Sequence, residues 1–135
     1  MDVPAPPGSV TTALAKYPPA LQAQFAEVRT MIFDVAAQTA GVGPLTECLK
    51  WGEPAYLTEA SRSGSTIRLG TVKSAPDRVA VLFNCQTTLI ETFRDQFEGV
   101  FTFDKNRAVI LDHDTPRDAL AICLQAALTY HRRKP

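Results

Sequence analysis

Turn-forming residues interrupt the stretch from residue 45 to residue 83 at short intervals, and this spacing constrains the fold more than any other feature of the chain. Gly52 and Pro54 forbid a long regular element between residues 45 and 56. The segments SRSGS, at 61–65, and KSAPD, at 73–77, are two further turns. Residues 67–71 alternate between apolar and other side chains, which predicts a strand with one buried face. Residues 79–83 form an apolar run that is typical of a central strand.

Helical patterns precede and follow these strands. Apolar residues recur every three or four positions from Leu21 to Ala36, after two prolines and before Gly41, which predicts a long first helix. Thr88 and Glu91 have the spacing of a capping box and predict a short second helix. A hairpin around the DKN turn comes next, and a final amphipathic helix begins after Thr115.

The element order predicts an α+β fold with two layers. We expect an antiparallel sheet of five or six strands under long N- and C-terminal helices, with a short helix between strands. Prolines 4, 6 and 7 and the scarcity of large apolar groups predict a flexible arm over residues 1–16. Residues 17–133 are expected to form a single domain, since 135 residues with 45% hydrophobic content are enough for one core.

Charge and cysteine content narrow the function classes and the location. Fourteen basic and fourteen acidic residues give zero formal charge, so no net field draws the chain to nucleic acid or to an anionic membrane. The three cysteines form no C-x-x-C pair, and neither a signal peptide nor a membrane span is evident. We therefore expect a cytoplasmic protein with no nucleic-acid or membrane partner.

The segment LKWGEPAY, residues 49–56, concentrates unusual residues. Trp51 and Tyr56 could form the aromatic wall of a ligand pocket, with Glu53 as a polar anchor. The alternative, which we favour, places Trp51 at the end of the core while Gly-Glu-Pro forms a turn. Glu53 is the strongest single candidate for function on either interpretation. Arg68 should point away from its apolar strand neighbours, where it could bind a ligand carboxylate or simply lie at the surface.

The segment between the central strand and the short helix is a second candidate site. Cys85, Thr87 and Thr88 lie where free amide hydrogens of a helix N-terminus can hold an anion and lower the pKa of a thiol. A nucleophilic thiol would need a base, and His113 and His131 are the only histidines. The alternative, which we favour, is a small buried cysteine beside an ordinary helix cap.

The motifs LTECLKWGEPAYL, IRLG, VAVLFNCQTTLIETFR and NRAVILD, followed by a last helix ending in ALTYHRR, resemble the YdhG-like family of domains of unknown function. The resemblance covers roughly residues 17–133, and K-W-G-x-P-x-Y is its most specific part. It implies an element order similar to that of frataxin, and one branch of the family is described as an intracellular iron chaperone. Iron is thus a cofactor by resemblance only; no other cofactor is expected.

Iron sites need several oxygen ligands close together. The first helix offers Glu27 and Asp34, two turns apart, and Glu53 is a further weak candidate, but a dense acidic ridge is missing. We therefore expect a non-catalytic module that binds a small molecule or a protein partner at Trp51, Glu53, Tyr56 and the Cys85–Thr88 loop. The alternatives are a frataxin-like iron chaperone and a thiol enzyme that uses Cys85. Exposed sheet edges also permit a homodimer.

Overall fold

Six strands and four α-helices form residues 3–133, which are the residues that the computed structural model describes, with side chains up to residue 132. The α-helices are α1 (Gly8–Leu14), α2 (Pro19–Gln38), α3 (Leu89–Gln96) and α4 (Arg117–Leu128), and a 3-10 helix at Tyr130–Arg133 follows α4. The strands are β1 (Thr46–Lys50), β2 (Glu53–Leu57), β3 (Ile67–Val72), β4 (Ala75–Phe83), β5 (Thr102–Asp104) and β6 (Ala108–Ile110).

The strands form one open antiparallel sheet with the order β1-β2-β3-β4-β6-β5. The expected two-layer α+β fold is confirmed, including the short helix α3 between β4 and β5. No helix within residues 3–133 combines the length and the apolar character needed to cross a lipid bilayer.

A two-residue turn at Trp51 and Gly52 joins β1 to β2. Both residues have positive φ angles, 56° and 76°, as a type I′ hairpin turn requires. The predicted Gly-Glu-Pro turn is therefore displaced, because Glu53 already pairs with Lys50 across the turn as the first residue of β2. Pro54, which has no N–H, also lies in β2.

One face of the sheet packs against α2, α3 and α4 and forms the main core. We call it the helix-covered face. The apolar stripe expected on α2 is buried here, as are the predicted stripe of α4 and the inward residues of the strands. The strand residues are Tyr56, Ile67, Leu69, Val79, Val81, Phe83 and Val109.

The opposite side of the sheet, which we call the far face, carries the intervening strand residues. Its buried cluster consists of small and aliphatic strand residues, namely Val72, Ala75, Ala80, Leu82, Ala108 and Ile110. Arg68 and Gly70 alternate with core residues of β3 and so belong to the far face. The prediction that Arg68 points away from Ile67 and Leu69 is confirmed.

Two local expectations are corrected. Residues 8–14 form α1 rather than part of a flexible arm, because Val10 is fully buried and Ala13 nearly so where α1 lies against β1 and β2. Residues 1 and 2 of the expected arm lie outside the described residues. The KSAPD turn is shorter than predicted: β4 begins at Ala75 and pairs with Val72 beside a register shift in β3.

Candidate functional site

A cavity of about 380 Å³ opens on the far face and brings together three of the predicted site residues, Trp51, Arg68 and Cys85. Its lining comes from the β1–β2 turn, β3, the end of β4 and the start of β6. The described residues that line it are Lys50, Trp51, Thr66, Arg68, Leu82, Phe83, Asn84, Cys85 and Arg107. The volume is near the lower end of the range found for small-molecule sites.

The sheet register explains why these distant residues meet. Arg68 pairs with Leu82, and Leu82 in turn pairs with Ala108, so β3, β4 and β6 present adjacent positions to the same side. Cys85 follows the end of β4, and Arg107 directly precedes β6. The cavity therefore follows from strand pairing across the far face.

Trp51 is 89% exposed at the edge of this cavity, so the favoured interpretation of Trp51 as a core residue is wrong. The physical reason is the type I′ turn, which places the indole beyond the ends of β1 and β2. An unburied tryptophan gives little to the core, since its stabilising contribution would come from buried area.

Glu53 lies on the far face and forms an ion pair with Arg68, whose Nε donates to Glu53 Oε1 at 2.9 Å. Gly70 leaves the space for this carboxylate, since a Cβ at that position would lie 2.6 Å from Glu53 Cδ. Burial raises the pKa of the Glu53 carboxyl, and the attraction and hydrogen bond of Arg68 offset part of that rise. Glu53 thus holds Arg68 in place and is absent from the cavity lining.

The cationic side chains of the cavity have unused donors. Arg107 donates from Nε to Asp104 Oδ2 at 3.4 Å, much as Arg68 does to Glu53. Among the residues that the structure describes, the Nη atoms of Arg68 and Arg107 and the ammonium group of Lys50 make no hydrogen bond. These donors are available to a ligand.

The Cys85 loop does not provide the anion site that its sequence suggested. The amide of Gln86 donates to Asn84 Oδ1 at 2.9 Å, and the amide of Thr88 donates to the Tyr130 hydroxyl at 3.2 Å. Thr87 also uses its hydroxyl locally, accepting from the Leu89 amide at 3.3 Å. These amides are therefore already engaged within the protein.

Three further expectations for this loop are corrected. Thr88 makes no side-chain cap bond, so the predicted capping box with Glu91 does not form in α3. Thr87 and Thr88 do not line the cavity either. Cys85 is exposed, so the favoured interpretation of a buried cysteine is wrong. Its carbonyl accepts from Asn106 Nδ2 at 3.0 Å, which ties the loop to the β5–β6 turn.

Neither histidine lines the cavity that contains Cys85. His113 borders two other cavities, both beside α2, and the ring of His131 packs edge-on against Tyr130. Cys123 is fully buried in α4, and burial raises the pKa of its thiol to about 12.

Tyr56 lies on the helix-covered face, fully buried, and is thus separated by the sheet from the cavity it was expected to border. It sits beside a buried ion pair in which Arg29 Nε and Nη2 donate to Glu47 at 2.7 and 2.8 Å. Its hydroxyl lies beside Glu47 and Arg29 but makes no hydrogen bond of ordinary geometry to the described residues. Burial and then the charge of Glu47 raise the pKa of Tyr56 above its ordinary value.

The sequence contained a signal for this ion pair. Arg29 is four residues after Phe25 and three before Ile32, and thus falls on the apolar stripe of α2. Glu47 lies two residues from both Leu45 and Leu49 in the β1 region, so the three side chains share the core-facing side of the strand. Charged residues at such positions are buried and require a partner, so each predicts the other.

The weak metal candidates Glu27, Asp34 and Glu53 are not brought together. Glu27 forms an ion pair with Arg117 of α4, whereas Glu53 lies on the far face of the sheet. Within residues 3–133, no group of three or more His, Cys, Asp or Glu side chains is placed to hold a metal ion.

Compared with protein-family models, with curated proteins and with solved structures, the chain has no match.

Proposed function

We propose that this chain is a non-catalytic ligand-binding module and that its site is the far-face cavity. The observation that carries the proposal is that one cavity, of about 380 Å³, is lined both by the exposed Trp51 and by Arg68 and Arg107. The Nη atoms of these two arginines make no hydrogen bond to the described residues. Ligand sites in proteins are typically concave, with an apolar floor and a few convergent polar groups. Leu82, at 3% exposure, supplies apolar surface for that floor here.

The fold supports a binding role for this face. Trp51 is exposed and so contributes little to stability through buried area. Arg68 and Arg107 each donate a hydrogen bond within the protein from Nε alone. Side chains that do little for stability while converging on one cavity are candidates for recognition. Membership of the YdhG-like family and a cytoplasmic location belong to the same proposal, the first supported by the K-W-G-x-P-x-Y segment and the second by three unpaired cysteines.

The two alternative functions have weaker support. A thiol enzyme would draw on the amides beside Cys85 to stabilise a thiolate, and those amides are engaged by Asn84, Thr87 and Tyr130. An iron chaperone would draw on carboxylates, and the best placed of them already bind arginines: Glu27, Glu47 and Glu53. No specific observation favours either function over ligand binding.

A screen of common metabolites by thermal unfolding tests the proposal. A ligand that binds only the folded state, at a hundred times its dissociation constant, stabilises that state by about 2.7 kcal/mol. We expect at least one compound to raise the unfolding midpoint in the wild type but not in Trp51→Ala. Ile122→Ala is the matched control, because Ile122 is a partly exposed apolar residue of α4 away from the cavity.

Two results would count against the proposal. One is a library in which no compound shifts the midpoint of the wild type. The other is a set of shifts that persist in full in Trp51→Ala and in Arg107→Gln, since the ligand would then bind elsewhere.

A further inference from the structure

We infer that the far-face cavity is an anion site: it takes a small ligand that presents a carboxylate or phosphate group to Arg68 and Arg107 and lays a planar apolar ring against Trp51. This inference rests on the proposed function and specifies the chemistry of its ligand. The ligand classes it excludes are cations and uncharged molecules.

The charge of the lining is the first argument. Three cationic side chains, Lys50, Arg68 and Arg107, line the cavity, and within residues 3–132 no acidic side chain does. Glu53 and Asp104 offset the charges of Arg68 and Arg107, so the cavity and these two partners together keep one positive charge, that of Lys50. A cleft lined by one sign of charge, with low-dielectric walls, concentrates ligands of the opposite sign.

The way the two arginines are held is the second argument. Glu53 and Asp104 each accept a hydrogen bond from an Nε atom, at 2.9 and 3.4 Å, and neither contact uses an Nη atom. The shorter contact holds Arg68 in place, and the longer one only orients Arg107. A guanidinium group matches the geometry of carboxylate and phosphate oxygens by donating two parallel hydrogen bonds. Glu53 and Asp104 act here as positioning residues, and neither lines the cavity.

Partial burial strengthens the interaction that Arg68 can make. Its side chain is 27% exposed, and Leu82 beside it is almost fully buried. Ion pairs in such surroundings are less weakened by water and salt than pairs at an open surface. Arg107, at 43% side-chain exposure, adds a second and more accessible cation.

Trp51 supplies the apolar part of the site. Aromatic pairs prefer offset-stacked or edge-to-face contacts, and burial of the indole by a ligand ring recovers apolar area that the fold leaves in water. The indole borders the same cavity as Arg68 and Arg107, so one small molecule can contact all three. A ligand with both a ring and an acid group therefore fits better than one with either alone.

Five probes separate the parts of the inference: benzoate, phenyl phosphate, inorganic phosphate, benzyl alcohol and benzylamine. Binding is measured by NMR titration of the full-length protein, following the Trp51 indole N–H and the Arg68 and Arg107 Nε–H signals. We expect benzoate or phenyl phosphate to bind about tenfold or more tightly than benzyl alcohol and benzylamine, because only the former meet the guanidinium groups. Inorganic phosphate, which lacks the ring, should bind more weakly than phenyl phosphate. The tighter of benzoate and phenyl phosphate identifies the acid group as a carboxylate or a phosphate.

Variants test the residues. Arg107→Gln should weaken benzoate or phenyl phosphate binding about tenfold, whereas Arg117→Gln, which alters an arginine of α4 with its own ion pair, should leave it within about twofold. Arg68→Gln alone leaves the half-buried Glu53 without its partner, so the double variant Arg68→Gln/Glu53→Gln is used alongside it for this position. Raising the salt from about 0.05 M to about 0.5 M should weaken binding as well.

The outcomes distinguish this inference from the proposed function. If benzylamine or benzyl alcohol binds at Trp51 as tightly as benzoate and phenyl phosphate, the anion inference is refuted and the ligand-binding module stands. If no probe perturbs the signals of the three side chains, the anion inference is also refuted, and the metabolite screen decides the function independently. Binding of benzoate that is unchanged in the Arg107 and Arg68/Glu53 variants refutes the assignment of the arginines.

Discussion

Removal of the Glu47 carboxylate should destabilise the protein far more than removal of any exposed carboxylate. Glu47 and Arg29 are 6% and 9% exposed and share two hydrogen bonds of 2.7 and 2.8 Å. In Glu47→Ala the guanidinium group remains buried with two weaker partners: the Pro4 carbonyl at 2.5 Å and the Phe33 ring, whose centroid lies 4.8 Å away. The variant therefore leaves most of a buried charge without compensation.

Breaking a buried ion pair by removing one partner costs about 3–5 kcal/mol. The Pro4 and Phe33 contacts place Glu47→Ala near the lower end, at about 3 kcal/mol. That is a large share of the roughly 5–15 kcal/mol by which domains of this kind are stable. The matched control is Glu27→Ala, because the Glu27–Arg117 pair is 47% and 61% exposed and should contribute less than about 1 kcal/mol.

Urea unfolding followed by far-UV circular dichroism gives the free energy of unfolding of each variant. The double variant Arg29→Met/Glu47→Leu should recover most of the lost stability, because it removes both charges from the interior. A loss for Glu47→Ala no larger than that for Glu27→Ala would refute the reasoning. So would a double variant as unstable as Glu47→Ala, since the loss would then come from packing and not from the unpaired guanidinium group.

Three further predictions concern single side chains. Tyr56→Phe should leave the free energy of unfolding unchanged or raise it by up to about 1 kcal/mol, since it removes a buried hydroxyl that lacks a hydrogen bond. A clear drop of the unfolding midpoint in thermal unfolding would contradict this prediction. Gly64→Ala should lower the free energy of unfolding by about 1–3 kcal/mol, because a Cβ at residue 64 would meet the backbone of α4. Gly8→Ala is the control and should leave that free energy unchanged, since the space around Gly8 is open; equal unfolding midpoints for the two variants would argue against the packing described. Iodoacetamide at neutral pH should modify the exposed Cys85 in the native state and Cys123 only after unfolding, because Cys123 is buried and its thiol pKa is raised to about 12. Modification is measured by mass spectrometry, and modification of Cys123 in the native protein would overturn this assignment.

Hydrophobic periodicity was sufficient to predict the layers of this fold. The α2 stripe from Leu21 to Ala36 and the alternation around Arg68 each reflect burial on one side, which sequence spacing records directly. Helix α1 was missed because Val10 and Ala13 give it two buried residues among prolines and polar groups, and its docking on β1 and β2 is a tertiary effect.

The candidate site was predicted only in part, because distance along the chain does not determine which side of a sheet a residue faces. Trp51 and Tyr56 are close in the sequence and were expected to share one pocket, but the two-residue turn and the strand parity place one outside the sheet and the other inside the core. Arg107 was missed, since only the pairing of β4 with β6 brings it to the cavity that Arg68 lines. Strand order is a long-range property that spacing alone does not encode.

The exposure of Trp51 has a practical consequence for work with this protein. It is the only tryptophan in the chain, and its indole is nearly as accessible to water as it would be in an unfolded chain. Intrinsic fluorescence should therefore change little when the protein unfolds, and a fluorescence transition that fails to coincide with circular dichroism would not indicate a folding intermediate. The same indole should shift its emission to the blue, or be quenched, when a ligand covers it. The fluorescence of Trp51 should therefore report ligand binding at the cavity while changing little on unfolding.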